Sequence, residues 1–159
     1  MKSESETFGN MELFRTTSEN QDFVKLVIQL DAYLKIVDGD DHAFYAAYNK
    51  TDTLKYVIVA YENNEAVGCG ALREFDAQAI EIKRMYVPPA NRNKGIAKKV
   101  LLELETWSKE LGFKKCILET GKKQLDAVAL YTKNGYNAIP NYGQYENIET
   151  SVCFEKKLI

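Results

Sequence analysis

Four basic side chains, Arg92, Lys94, Lys98 and Lys99, surround Gly95 at the start of a stretch with helical spacing. At a helix start the backbone dipole is already positive and acids are preferred, so cations crowded there break a local rule. A rule broken without visible compensation marks a candidate functional site. The simplest compensation is a bound anion. The first N–H groups of a helix lack intrahelical acceptors, and Gly95 lets a phosphate approach them closely. A solvated basic face on an ordinary helix is the alternative that this pattern alone leaves open.

The elements that must position this turn can be read on either side of it. Ile96, Val100, Leu104, Trp107 and Leu111 recur at helical spacing and give the helix one apolar face. Pro88 and Pro89 end a strand before the turn, and Gly112 stands where a C-cap belongs. Upstream, residues 11–16 read as a first strand. Ser18 is the expected N-cap of a helix carrying Phe23, Val27, Leu30, Leu34 and Val37 and ending near Gly39. Asp38, Asp40, Asp41 and His42 form an acidic turn, and residues 43–48 read as a short second helix. Strands over 54–61 and 66–74 flank Asn63-Asn64, whose tolerance of left-handed backbone predicts a hairpin. Residues 79–87 follow as a third antiparallel strand.

Beyond the basic helix, residues 115–120 read as a strand parallel to 81–87, because a helical crossover separates them. A short helix over 125–134 ends at Gly135, and strands over 136–139 and 151–157 close the sheet. The reading is α+β: a central twisted, mixed, mostly antiparallel sheet flanked by helices. It forms a single domain over 11–159 behind a flexible leader, 1–10.

Composition removes several classes of function. The 159 residues are 45% hydrophobic and 28% charged, ordinary values for a globular domain. A net charge of −2 argues against a general nucleic-acid binder, and the local basic cluster suits a small anion better than a polyanion. The longest apolar runs are too short to cross a bilayer. The polar, acidic N-terminus lacks the apolar core of a signal peptide, so cytoplasmic residence is expected. Cys69, Cys116 and Cys153 sit far apart in apolar stretches and read as reduced core residues. With a single His and no paired Cys, no metal site can be drawn. Gly68-Cys69-Gly70 lies inside a strand, so it marks a bulge or a close backbone approach rather than a dinucleotide fingerprint.

Arg92-Asn93-Lys94-Gly95-Ile96-Ala97 resembles the Arg/Gln-x-x-Gly-x-Gly/Ala signature of the GNAT N-acetyltransferases. Leu130-Tyr131-Thr132-Lys133-Asn134-Gly135-Tyr136 is similar to that family's Leu-Tyr-x-x-x-Gly-Phe/Tyr. The resemblance is specific over residues 68–136. It implies a GNAT-like fold and acetyl-coenzyme A as co-substrate. It places the pyrophosphate on Arg92, Asn93, Lys94, Gly95, Ile96, Ala97 and Lys98, and the pantetheine arm along Met85, Tyr86 and Val87. Gln124 stands where the family often has Asn and can offer the same groups on a longer stem.

The resemblance also implies that Tyr131 protonates the departing thiolate. Glu81 lies eleven positions before Arg92, where histone-type members of the family carry a general base. An amine with a pKa of about 10.4 must lose a proton before it can attack, which gives such a base its task. The alternative for Glu81 is a solvated strand face shared with Lys83. The implied reaction is direct transfer of acetyl to a primary amine of a small molecule or peptide, with the region of Asp38, Asp40, Asp41 and His42 shaping the acceptor pocket. Phe44, Tyr45, Tyr48, Tyr142 and Tyr145 are candidates for its aromatic walls. No nucleic-acid or membrane partner is implied, and a homodimer is compatible with the resemblance. A non-catalytic acetyl-coenzyme A sensor, or an interaction subunit on the same fold, is the alternative.

Overall fold

The computed structural model describes residues 11–39 and 53–159. The expected leader, the short helix over 43–48, and Asp40, Asp41, His42, Phe44, Tyr45 and Tyr48 all lie outside the described residues.

Alternating and continuous apolar runs become seven strands: β1 (Met11–Thr16), β2 (Tyr56–Glu62), β3 (Glu65–Glu74), β4 (Ala79–Tyr86), β5 (Lys115–Gly121), β6 (Asn137–Ile139) and β7 (Ser151–Lys157). They form one sheet in the order β1-β2-β3-β4-β5-β7-β6. Every pairing is antiparallel except β4 with β5. Three α-helices accompany the sheet among the described residues: α1 (Gln21–Asp38), α2 (Ile96–Glu110) and α3 (Leu125–Lys133). None of them is long and apolar enough to cross a membrane.

The run Val57-Ile58-Val59-Ala60 is buried on both faces because the sheet is covered on both. Val57 and Val59 pack with Phe23, Leu26, Leu30 and Leu34 of α1. Ile58 packs with Leu72, Ile80, Val100, Leu101 and Leu104 on the α2 side. Strands covered this way read as continuous rather than alternating hydrophobic runs. The hairpin turn forms as its sequence predicts, with Asn63 at φ 51° and Asn64 at φ 68°.

One helix start differs from the sequence reading. Asn20 is the N-cap of α1, its side-chain oxygen accepting from the Phe23 amide at 2.9 Å. Ser18 instead clamps the chain before β2. Its hydroxyl accepts from the Leu54 amide, and its amide donates to the Leu54 carbonyl, both at 2.9 Å. Leu54 is therefore satisfied locally, and β2 starts at Tyr56 rather than 54.

Two features of the sheet open the space beside β4. The first is a bulge. The β3–β4 register steps from Cys69↔Tyr86 to Ala71↔Lys83, so β4 carries an extra residue, and Arg84 has φ +57°. The second is a divergence. β4 and β5 pair only at Ala79↔Lys115, Ile80↔Cys116 and Glu81↔Ile117, while β5 pairs with β7 along its length. Beyond Glu81 the two strands separate, leaving the β4 edge over 82–86 without a strand on that side. Helix α2 lies directly on β3. A Cβ on Gly70 would stand 2.6 Å from the Met85 sulfur and 2.8 Å from Leu104 Cδ1, and one on Gly68 2.8 Å from Ile96 Cγ2. Those glycines are close-approach positions, as their place inside a strand predicts.

Candidate active site

The basic turn leads into α2 through Gly95 at φ +81°, a backbone that glycine adopts without strain. No side chain caps this helix and no acid occupies its first turn. The amides of Ile96, Ala97 and Lys98 therefore have no intrahelical acceptor. Nothing lies within 4 Å of where a Gly95 Cβ would be, so the space above the turn is open. The basic residues divide their work. Arg92 Nε donates to the Val87 carbonyl at 2.8 Å, and its guanidinium lies 5.3 Å from the Tyr33 ring centre and 6.0 Å from that of Tyr86. It staples strand to turn. Lys94 reaches Glu62 at 3.4 Å. Lys98 is exposed at the turn.

This turn borders a cleft of about 550 Å³, which runs between α2, the free edge of β4 and α3. Met85, Tyr86, Val87, Arg92, Asn93, Gly95, Ile96, Ala97, Lys98, Gln124 and Tyr131 all line it. Of the residues expected to hold the pyrophosphate or pantetheine, Lys94 alone does not line the cleft, because its side chain turns toward Glu62. The Val87 carbonyl is already engaged by Arg92.

A second, smaller cavity of about 90 Å³ opens on the α1 side of the same divergence. Asp38, Glu81, Lys83, Arg84, Glu119, Thr120 and Tyr145 contribute to its wall. Leu30, Met85, Gln124, Ala127 and Tyr131 line both spaces. Glu81 is buried, at 5% exposure, so it does not share a solvated strand face. The Tyr142 hydroxyl donates to Glu81 Oε2 at 2.6 Å. Tyr142 in turn packs edge-on against Phe75 and Tyr145, and Tyr145 lines the small cavity.

Glu119 was not legible in the sequence. It sits on β5 two residues beyond the partner of Glu81, and Ser151 donates to its Oε2 at 2.7 Å. Burial pushes its carboxyl up to about 7, against the opposing pull of Ser151 and Lys83; Glu81 and Asp38 push it further up. Burial also lowers the Lys83 ammonium, with Glu81 acting the other way. Tyr131 is buried at 6% exposure, and its hydroxyl makes no hydrogen bond among the described residues. Burial, then the charge of Glu119, raises its pKa above the ordinary tyrosine value, so it stays protonated at neutral pH. The expected acidic turn contributes Asp38 to the cavity.

The cleft has the properties that a coenzyme A thioester requires: uncapped amides and a lysine for phosphates, and an unpaired strand edge for amide groups. Comparison with known proteins agrees. The profile of the Acetyltransferase (GNAT) family matches residues 23–136. The uncharacterized N-acetyltransferase YjgM of Escherichia coli K12 is 39% identical over 107 residues, 65% of this chain and 63% of that protein. The matched stretch thus spans less than two thirds of that relative. A Klebsiella pneumoniae structure described as an acyl-CoA N-acyltransferase is 29% identical over 94% of this chain and 98% of its own, with a TM-score of 0.79. A GNAT-family acetyltransferase from Elizabethkingia anophelis, solved with acetyl-CoA bound, shares the fold at a TM-score of 0.66 and 21% identity, covering 95% of this chain and all of its own. The chain belongs to the Acetyltransferase (GNAT) family.

Proposed function

We propose that the protein moves acetyl from acetyl-CoA directly to an amine of a small molecule or peptide. One observation carries this reading: the large cleft and the small acidic cavity meet at Tyr131, which lines both. The pyrophosphate would lie on the amides of Ile96, Ala97 and Lys98, and the pantetheine along Met85 and Tyr86. The thioester would then reach the junction, and the amine would enter from the acidic side. No cysteine lines either space, so no residue there is suited to carry the acyl group between substrates.

The steps follow from the residues at the junction. An amine arrives protonated and must lose a proton before its lone pair can attack. Glu81 and Glu119 form the basic wall. Glu81 already accepts from Tyr142, whereas burial places Glu119 near neutrality, where a general base is most effective. Glu119 therefore takes the proton, and Glu81 supplies the negative charge beside it. The nitrogen attacks the thioester carbonyl, the carbon–sulfur bond breaks with the electron pair leaving on sulfur, Tyr131 donates its proton to that sulfur, and the second proton that the nitrogen sheds on becoming an amide restores the Tyr131 phenol. Because burial holds that phenol protonated, its donor is in place throughout the neutral range.

A thiol-release assay with acetyl-CoA and a panel of amines, followed by mass spectrometry of the product, tests the reading. A product heavier by one acetyl group is the expected result. Tight acetyl-CoA binding with no amine consumed would instead make the protein a binder.

A further inference from the structure

Arg84 is an unusual residue to find at a β-bulge. Its φ of +57° is left-handed, a region that costs a bulky side chain energy and persists where the surroundings require it. The bulge has a geometric effect. Successive strand residues normally face opposite sides. Here Lys83 and Arg84 both serve the α1 side: Lys83 lines the small cavity with Leu34 and Asp38, and Arg84 pairs with Asp31 of α1 while lining the same cavity. Met85 then turns toward α2, against Gly70.

The Arg84 side chain is only 3% exposed, yet its pairing is incomplete. Nη2 donates to Asp31 Oδ1 at 2.6 Å, and Asp31 is itself 52% exposed. Nε has no partner, and it is the one buried side-chain nitrogen or oxygen of which this is true among the described residues. A buried guanidinium held by a single bond from Nη2 to a half-exposed carboxylate leaves Nε uncompensated. Buried polar groups are nearly always satisfied, so an orphan beside a cavity points to a group supplied from outside. Guanidinium selects planar oxyanions, carboxylates above all.

The same cavity is also lined by carboxylates, Glu81 and Glu119. A cavity of about 90 Å³ has several times the room that a single water needs and holds a small head group. We propose that the acceptor is a small amine that also carries a carboxylate, its amine toward Glu81 and Glu119 and its carboxylate toward Arg84, with Lys83 beside it. This rests on the reading of the small cavity as the acceptor site. It narrows the acceptor from any amine to an amino-acid-like one.

The experiment compares α-amino acids with their own carboxamides, using the full chain and saturating acetyl-CoA, by thiol release. A carboxamide leaves its amine less basic and so more often unprotonated, which favours the amide on chemical grounds alone. A preference for the acid therefore reports recognition. The acid is expected to have a kcat/KM at least about tenfold higher. Arg84→Gln should erase that preference through KM, and Arg84→Lys should restore part of it. Should both variants fail to fold, wild type alone decides: simple carboxylates without an amine should compete with the acceptor and not with acetyl-CoA. Carboxamides turned over as well as acids, or carboxylates that do not compete, would overturn the inference and leave amine acetylation standing. No turnover of any amine, with acetyl-CoA bound, would remove the reading beneath it as well.

Discussion

Replacing Tyr131 with Phe deletes a hydroxyl that has no acceptor among the described residues, so the fold loses no hydrogen bond. The ring still packs against Tyr136 and Phe154 at centroid distances of 5.7 and 6.2 Å. Folding and cofactor affinity should survive, while turnover falls by about a hundredfold or more, the usual cost of losing a positioned acid. Single-turnover kinetics check this, and a loss below about threefold when chemistry limits the rate would reduce Tyr131 to a packing residue. Glu119 gives a second contrast. As a base it must be ionised, so log kcat/KM should rise with unit slope up to about pH 7 and level off above it. Glu119→Gln should remove that limb along with most of the rate. Its effect on stability has the opposite sign. A carboxyl whose pKa is raised on folding is best tolerated below its unfolded value near 4.5, and its contribution is lost as pH rises through about 7. Glu119→Gln should therefore be more stable than wild type at pH 8 and not at pH 4, measured by urea denaturation. A variant less stable at both would mean that the Ser151 bond outweighs the cost of burying the charge.

The start of α2 couples a local backbone requirement to a ligand. Gly95→Asp places a carboxylate at an open position where phosphate oxygens are expected, on a backbone at φ +81° that Asp tolerates better than most residues. The helix should still form, and coenzyme A affinity should fall by several kcal/mol, roughly a thousandfold. Calorimetry giving unchanged affinity in a folded variant would move the pyrophosphate elsewhere. This element was legible because the signal was local: a glycine, four cations and an apolar stripe within one stretch. The Asn63-Asn64 hairpin, β1 and β7 were legible for the same reason, and the parallel β4–β5 pair followed from the helical crossover between its strands. Ser18 was misread because Asn20, two residues on, also has a capping side chain, and only the contact of Ser18 with Leu54 decides between them. Glu119 and the Arg84 orphan were not legible at all. Glu119 lies 38 positions from Glu81, and the parallel register brings the two together. Tyr142 lies 61 positions from the same carboxylate. Arg84 looks like any strand residue until the bulge turns it to the side of Lys83.

At the scale of the whole molecule, the divergence of β4 from β5 leaves a weak seam. The halves on either side are joined by three residue pairs between β4 and β5, against seven between β5 and β7. Helix α3 packs over the opening but buries one side chain, Tyr131. Coenzyme A lying along that seam would touch α2, the β4 edge and α3 together, and would bind the folded chain alone. Ligand present at a hundredfold over its dissociation constant contributes about 2.7 kcal/mol. A domain of this size shifts by roughly 2–4 °C per kcal/mol, so the melting temperature should rise by about 5–10 °C. The stabilisation should also be local. Hydrogen exchange should slow most at the amides of β4 over 82–86, at the first turn of α2 and in α3, and little in β1 and β2 on the far edge. Scanning calorimetry and exchange with coenzyme A, repeated on Gly95→Asp, separate this from non-specific ligand effects, since the variant should lose both responses. A shift that persists in that variant, or protection spread evenly over the sheet, would show that the ligand stabilises the chain from somewhere other than the seam.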